Sequence, residues 1–219
     1  MEGSAQKQLI GIIDYGVGNY GSVLNTINFI GHKTLISADP MDLKQADGYI
    51  LVGVGSFKEA MNQLNLRGID NFLECHVRAK GLPILGICLG MQLFAEVSFE
   101  HGYTEGLGWI KGKVSMNSVA KSQTKLHVGW NCISYSDSNA LTRGLPSNPY
   151  FYFDHSYHMD CEDEEALIST TTFGGTFTSI VQKGNVFGTQ FHPEKSQYNG
   201  IKVLENFIGV VRNSVSLDA

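Results

Sequence analysis

Residues able to do chemistry gather in three short segments. The first is Leu82-Pro83-Ile84-Leu85-Gly86-Ile87-Cys88-Leu89-Gly90-Met91-Gln92, where an apolar run stops at a cysteine and a helical pattern begins at once. Gly86 and Gly90 stand two residues either side of Cys88. This is the cysteine version of the G-x-S-x-G nucleophile elbow: a sharp strand-to-helix turn lifts the nucleophile above the sheet edge, and glycines sit where a β-carbon would strike backbone. A helix N-terminus favours a thiolate, and the Leu89 amide is placed to donate to an oxyanion. Free cysteines are more often buried structural residues. That reading is taken for Cys75, Cys132 and Cys161; the paired glycines set Cys88 apart.

The second segment is Gly188-Thr189-Gln190-Phe191-His192-Pro193-Glu194. A strand delivers His192 at its end, and Pro193 stiffens the segment. A cysteine nucleophile needs a general base, and the base needs an orienting acceptor; His192 and Glu194 supply both. Alone, His-Pro-Glu is most often a surface turn, and its meaning comes from Cys88 at the same sheet edge, where open α/β sheets place ligands. The remaining histidines (His32, His76, His101, His127, His155 and His158) are read as lacking a strand-end position and a partner. The third segment, Gly16-Val17-Gly18-Asn19-Tyr20-Gly21 with Asp39 downstream, has the outline of a dinucleotide fingerprint. Asp14 and Tyr15 lie between the strand and the first glycine, and Asp14 would sit near the pyrophosphate. A glycine turn with Asn19 capping the next helix, or a partner surface, is the better reading. No His or Cys pair has zinc-like spacing, so no metal and no cofactor is expected.

Strand–helix alternation must position these residues. Apolar runs at 9–13, 34–37, 49–54 and 83–87 read as strands. Helical stripes follow at 19–30, 57–64, 69–80 and from 91 to 98. That spacing implies a parallel sheet covered on both faces. The second half changes character: 109–133 and 150–191 are rich in Thr, Val, Phe and Tyr, and 166–172, 177–182 and 186–191 look like antiparallel strands. The last two join across Lys183-Gly184-Asn185. A helix over 201–211 closes the chain. The expected fold is α/β, a flavodoxin-like, mostly parallel sheet flanked by helices with added antiparallel strands. No linker or repeat divides it, so 1–219 reads as one domain.

Composition agrees. The 219 residues suffice to bury a core without staples. Charged residues are 17 %, and the net charge is −5. An acidic chain lacks the basic face that phosphate-backbone contact needs, which excludes nucleic acid as a partner class. Four scattered cysteines suit a reducing cytoplasm. No apolar run reaches the ~20 residues of a membrane span, so no membrane is expected.

GICLGMQLF around Cys88 and GTQFHPEKSQ around His192 resemble the class I glutamine amidotransferases. More narrowly, Ile13-Asp14-Tyr15-Gly16-Val17-Gly18-Asn19, Gly53-Val54-Gly55-Ser56-Phe57, His127-Val128-Gly129-Trp130-Asn131 and His155-Ser156-Tyr157 are similar to the glutaminase subunits of imidazole glycerol phosphate synthases. The resemblance implies that Cys88 attacks the glutamine amide, His192 relays the proton to ammonia and Glu194 orients His192. It implies an oxyanion hole from the amides of Leu89, Gly53, Val54 and Gly55, and a glutamine pocket lined by Gln92, Ser156 and Tyr157. It implies a heterodimer with a (βα)8-barrel cyclase, faced by Asn19, Trp130 and Lys195. Ammonia would pass to that cyclase, which makes imidazole glycerol phosphate and an aminoimidazole carboxamide nucleotide.

Two positions depart from the family pattern, which has proline where this chain has Val52 and Leu126. Proline fixes φ and restricts its predecessor, so these changes bear on the mobility of the oxyanion loop. They would also suit a paralogue feeding ammonia to a synthase that amidinates a surface sugar. A non-catalytic regulatory subunit would be expected to lose Cys88, His192 or Glu194, and none is lost.

Overall fold

The computed structural model describes residues 7–116, 126–135 and 139–215. The first half alternates as expected: β1 (Leu9–Ile13), α1 (Tyr20–Phe29), β2 (Lys33–Ser37), α2 (Pro40–Leu43), β3 (Gly48–Gly53), α3 (Phe57–Leu66), α4 (Ile69–Leu73) and β4 (Ile84–Cys88). Short elements follow: α5 (Leu89–Gln92), β5 (Ala95–Ser98), β6 (Thr104–Glu105), β7 (Ile110–Met116) and β8 (His127–Cys132). The chain ends with β9 (Tyr150–His155), β10 (Tyr157–Cys161), β11 (Leu167–Thr172), β12 (Thr176–Lys183), β13 (Val186–Thr189) and α6 (Gln197–Val215).

The main sheet has the order β11-β12-β13-β4-β3-β1-β2. The five strands from β13 to β2 are parallel, and β11 and β12 extend the sheet antiparallel. β3 and β4 are buried at every residue, which is why they read as continuous apolar runs. Alternate residues feed two cores. Leu51 and Ile84 pack on one face with α3 and α4, and Ile50, Leu85 and Ile87 pack on the other with α1 and α6. Ser56 starts α3 by accepting from the Glu59 amide at 3.3 Å. Phe57, Ala60, Met61 and Leu64 then bury one helical face. A second sheet, β10-β7-β5-β6, and the two-stranded ribbon β8-β9 stand beside the main one. Among the described residues, no helix is long and apolar enough to cross a membrane.

Two expected elements differ. The stripe at 69–80 is helical throughout, but Glu74–Ala79 is π-helical. The His76 ring takes the Phe72 carbonyl at 3.0 Å, the acceptor an α-helix offers to the His76 amide, and the local bonding widens to i→i−5. The expected helix over 91–98 lasts only one turn, and 95–98 is strand. The Leu93, Phe94 and Ala95 carbonyls accept from the amides of Leu107, Trp109, Ile110 and Gly108, so none is left to continue the helix.

Candidate active site

β4 lies at the middle of the main sheet, between β3 and β13. Its last residue, Cys88, has φ 54° and ψ −110°, a conformation costly for a residue with a side chain, by about 1–3 kcal/mol. Its glycine neighbours make that turn possible. A β-carbon on Gly86 would lie 2.6 Å from the Gly90 carbonyl oxygen, and one on Gly90 would overlap the Leu51 carbonyl oxygen. The elbow therefore sits directly on the backbone of β3. Cys88 is the sole buried cysteine of the four: Cys75 is exposed, and Cys132 and Cys161 are half-buried. The expectation that those three are buried structural thiols is corrected, because each falls on an edge or an outer face.

The Cys88 sulfur faces a cavity of about 320 Å³, which also touches Gly53, Val54, Gly55, Leu89, Gln92, Ser156, Tyr157, His192 and Lys195. The expected nucleophile, base, oxyanion loop and glutamine pocket thus meet at the C-terminal ends of β3, β4 and β13. Glu194 is held against His192, with the Nδ1–Oε1 distance 2.8 Å and both side chains almost wholly buried. The His192 amide donates to the Tyr152 carbonyl at 2.9 Å, which draws the chain off β13 toward β9 and aims the ring at the cavity. Burial alone would push the imidazole pKa down. The charge on Cys88, a hydrogen bond with it and the Glu194 contacts override burial and hold it up at about 10. The imidazole beside the Cys88 sulfur is thus held protonated at neutral pH.

The oxyanion loop departs from expectation. The Val54 amide donates to the Val17 carbonyl at 3.4 Å. In this conformation Val54 is unavailable to an oxyanion, and the glycine-rich turn at 16–18 acts as a dock for the loop. Gly55, at φ 102°, is the joint. The dinucleotide reading of that turn also fails on local grounds, because the Asp39 carboxylate caps α2 by accepting from Met41 at 2.8 Å. Nor does Asn19 cap α1: it stands at the N-cap position without a side-chain bond. The expected helix is one turn long, so Cys88 meets only the first amides of α5, not the field of a full helix.

Trp130 lies on β8 and is 47 % exposed. Lys195 reaches across the cavity mouth, 3.9 Å from Asp154 Oδ2 and 5.5 Å above the Tyr152 ring. Leu126 and Val54 are exposed at the same rim, whereas Val52 is buried in the sheet beside Ile87.

Sequence reasoning missed several neighbours. His155 ends β9 and lines the cavity. Its Nε2 lies 3.1 Å from His127 Nδ1, and its own Nδ1 lies 3.0 Å from the Tyr157 carbonyl. The reading that His127 and His155 lack partners is corrected: β8 and β9 pair in a register that sets them opposite each other. Burial pushes both down, His127 to about 4 and His155 to about 3, so the pair is neutral at pH 7. The Asp154 carbonyl accepts from the Cys88 thiol at 3.8 Å, a backbone contact invisible in sequence. Gln190 also touches the sulfur. It lies two residues before His192, where the chain bends out of β13, so its approach to the sulfur leaves no periodic signal in the sequence.

Residues 12–210 match the model of the glutamine amidotransferase class-I family. The chain is 43 % identical over 202 residues to the imidazole glycerol phosphate synthase subunit HisH of Leptospira interrogans, covering 91 % of this chain and 98 % of that protein. It is 46 % identical over 202 residues to the subunit of the same name from Sulfurimonas denitrificans, covering 91 % and 97 %. In structure it is similar to PurLQS from Thermotoga maritima, with a TM-score of 0.74 at 18 % identity over 94 % of this chain and 100 % of that one. An elbow cysteine, a buried His–Glu pair and a match running almost end to end agree on one assignment: the chain belongs to the class I glutamine amidotransferase family, among the imidazole glycerol phosphate synthase HisH subunits.

Proposed function

We propose that this chain, acting as one domain, is the glutaminase subunit of an imidazole glycerol phosphate synthase. The observation that carries the reading is the strained Cys88 turn facing a buried His192–Glu194 pair across a small cavity. The Cys88 thiolate attacks the carbonyl carbon of the glutamine side-chain amide. The His192 imidazolium protonates the departing nitrogen, and ammonia leaves. Water, deprotonated by His192, then cleaves the thioester to glutamate and restores the thiolate. Glu194 keeps the ring in the tautomer and direction this needs.

The tetrahedral oxygen needs donors. Leu89 at the elbow offers one amide. A second arrives when the Gly53–Val54 peptide turns over and the Val54 N–H leaves the Val17 carbonyl, which is 3.4 Å away and at the long limit of a hydrogen bond. A subunit resting with one donor spares glutamine until an acceptor is present. Gln92, Ser156 and Tyr157 line the glutamine pocket. Asn19, Trp130 and Lys195 mark the face toward a (βα)8-barrel cyclase, and the exposed Val128 and Tyr150 extend it with apolar surface that suits a protein partner.

The test is glutamate release from glutamine, with and without the cyclase subunit and its nucleotide substrate. Low turnover alone, strong stimulation by both additions, and none in Cys88→Ala are expected. Stimulation surviving in Cys88→Ala would remove the nucleophile assignment. A Cys88-dependent glutaminase that the cyclase does not stimulate would move the ammonia to another acceptor, such as a sugar-amidinating synthase, and direct attention to Val52 and Leu126.

A further inference from the structure

The Cys88 sulfur has a third polar neighbour besides His192 and the Asp154 carbonyl. Gln190 Nε2 donates to it at 3.6 Å. The Gln190 side chain is fully buried, and its backbone is held to the main sheet by the Gln190 amide donating to the Ser179 carbonyl at 3.0 Å. Its other end is also engaged, since Oε1 accepts from Gln92 Nε2 at 3.1 Å. Gln92 Nε2 makes a second bond to the Tyr157 carbonyl at 2.7 Å. Both hydrogens of the Gln92 amide are therefore spent on acceptors of the chain. Only its Oε1 is then left to serve the cavity, whose wall Gln92 forms in part.

A buried primary amide used at both ends is a directional device. Turned over, Gln190 would set its carbonyl oxygen against the sulfur and its nitrogen against the Gln92 nitrogen, and both contacts would be repulsive. The flanking groups thus allow one orientation. That orientation gives the sulfur a donor and forces Gln92 to offer the substrate an acceptor. Glutamine carries N–H donors at both its amide and its ammonium, which an inward-facing carbonyl oxygen recognises.

We infer that Gln190 is a further catalytic residue of this site, its Nε2–H stabilising the Cys88 thiolate while its Oε1 locks Gln92 in the orientation that receives glutamine. The inference rests on the reading of Cys88 as nucleophile. It explains why a polar side chain lies wholly buried beneath the elbow, where an apolar residue of similar size would pack without needing partners.

Two substitutions separate the two ends. Gln190→Glu keeps an acceptor for Gln92 and loses the donor to sulfur. Gln190→Met loses both. With the cyclase subunit present, Gln190→Glu should lower kcat for glutamate release by ~10- to 100-fold with KM for glutamine within about twofold, the loss typical of a hydrogen bond to a charged group. Gln190→Met should lower kcat similarly and raise KM about tenfold as Gln92 becomes free to rotate. Carbamidomethylation of Cys88 in the full chain at pH 7, followed by mass spectrometry of its peptide, should slow in both variants, more so in Gln190→Glu, where a negative charge faces the thiolate. Far-ultraviolet circular dichroism checks that both variants fold. Folded variants with kinetics and alkylation within twofold of the parent chain would overturn the inference, as would equal KM increases in both. Failure of the parent Cys88 to alkylate at all would overturn the nucleophile reading and this inference with it.

Discussion

His192 carries the electrostatic burden of the site. Its imidazole is buried, yet it is held at about 10 by Cys88 and Glu194 against the opposing effect of burial. In the proposed mechanism its protonated form is the proton donor to leaving ammonia, so activity should survive well above neutral pH and fall as the ring deprotonates. Glu194→Gln removes one of the groups that raise this pKa. The alkaline limb of kcat/KM is expected to move toward neutral in that variant, and an unmoved limb would assign it to another group. Tyr15 offers a contrasting test. Its hydroxyl is buried against Gly53 and is without a hydrogen-bond partner among the described residues. An unsatisfied buried hydroxyl costs about 1–3 kcal/mol. Tyr15→Phe keeps the ring packing and removes that cost, so the melting temperature of the free subunit should hold or rise. A clear fall would reveal a partner for the hydroxyl.

At the scale of elements, the elbow depends on how closely α5 rides over β3. Gly90 admits no β-carbon because the Leu51 carbonyl occupies its place. Gly90→Ala must push β3 and α5 apart in a close-packed region. A loss of about 2–4 kcal/mol is expected, seen as a melting temperature lower by roughly 5–15 °C for a chain of this size. A melting temperature equal to that of the parent would show that the turn has room to spare. The oxyanion loop is the opposite kind of element, docked by a single long hydrogen bond from Val54 to Val17 and jointed at Gly55. Gly55→Ala places a β-carbon at φ 102°, which disfavours the docked conformer. Unstimulated glutaminase activity should therefore change more than stimulated activity does.

Over the whole molecule, pH acts through the β8–β9 ribbon and His192 in opposite directions. His127 and His155 have folded-state pKa values near 4 and 3, below the ~6.5 of an unfolded chain. As pH falls below about 6.5 the unfolded chain takes up protons that the folded chain refuses, and stability declines. His192 is raised, so its contribution is full below ~6.5 and is lost as pH climbs toward 10. Thermal stability should peak near neutral and be lower at pH 5 than at pH 7. The acid slope should be shallower in His127→Gln, and a slope identical to that of the parent would exclude the ribbon histidines as its source.

Sequence alone determined the parallel half of the fold, because strands buried on both faces must be apolar throughout and helices buried on one face must show a 3.6-residue period. It also singled out Cys88, His192 and Glu194, which the fold brings together, since an elbow and a strand-end base write themselves in local spacing. Only the tertiary structure decided that 95–98 is strand, because the carbonyls that would extend the helix are captured by residues 107–110, a contact with no local signal. It alone decided that His127 and His155 face each other, since the register of two strands far apart in sequence sets that pair. The Val54 amide turns toward Val17, and Gln190 reaches the sulfur, for the same reason. Hydrogen bonds between segments distant along the chain are made by the packed molecule, not by any single stretch of sequence.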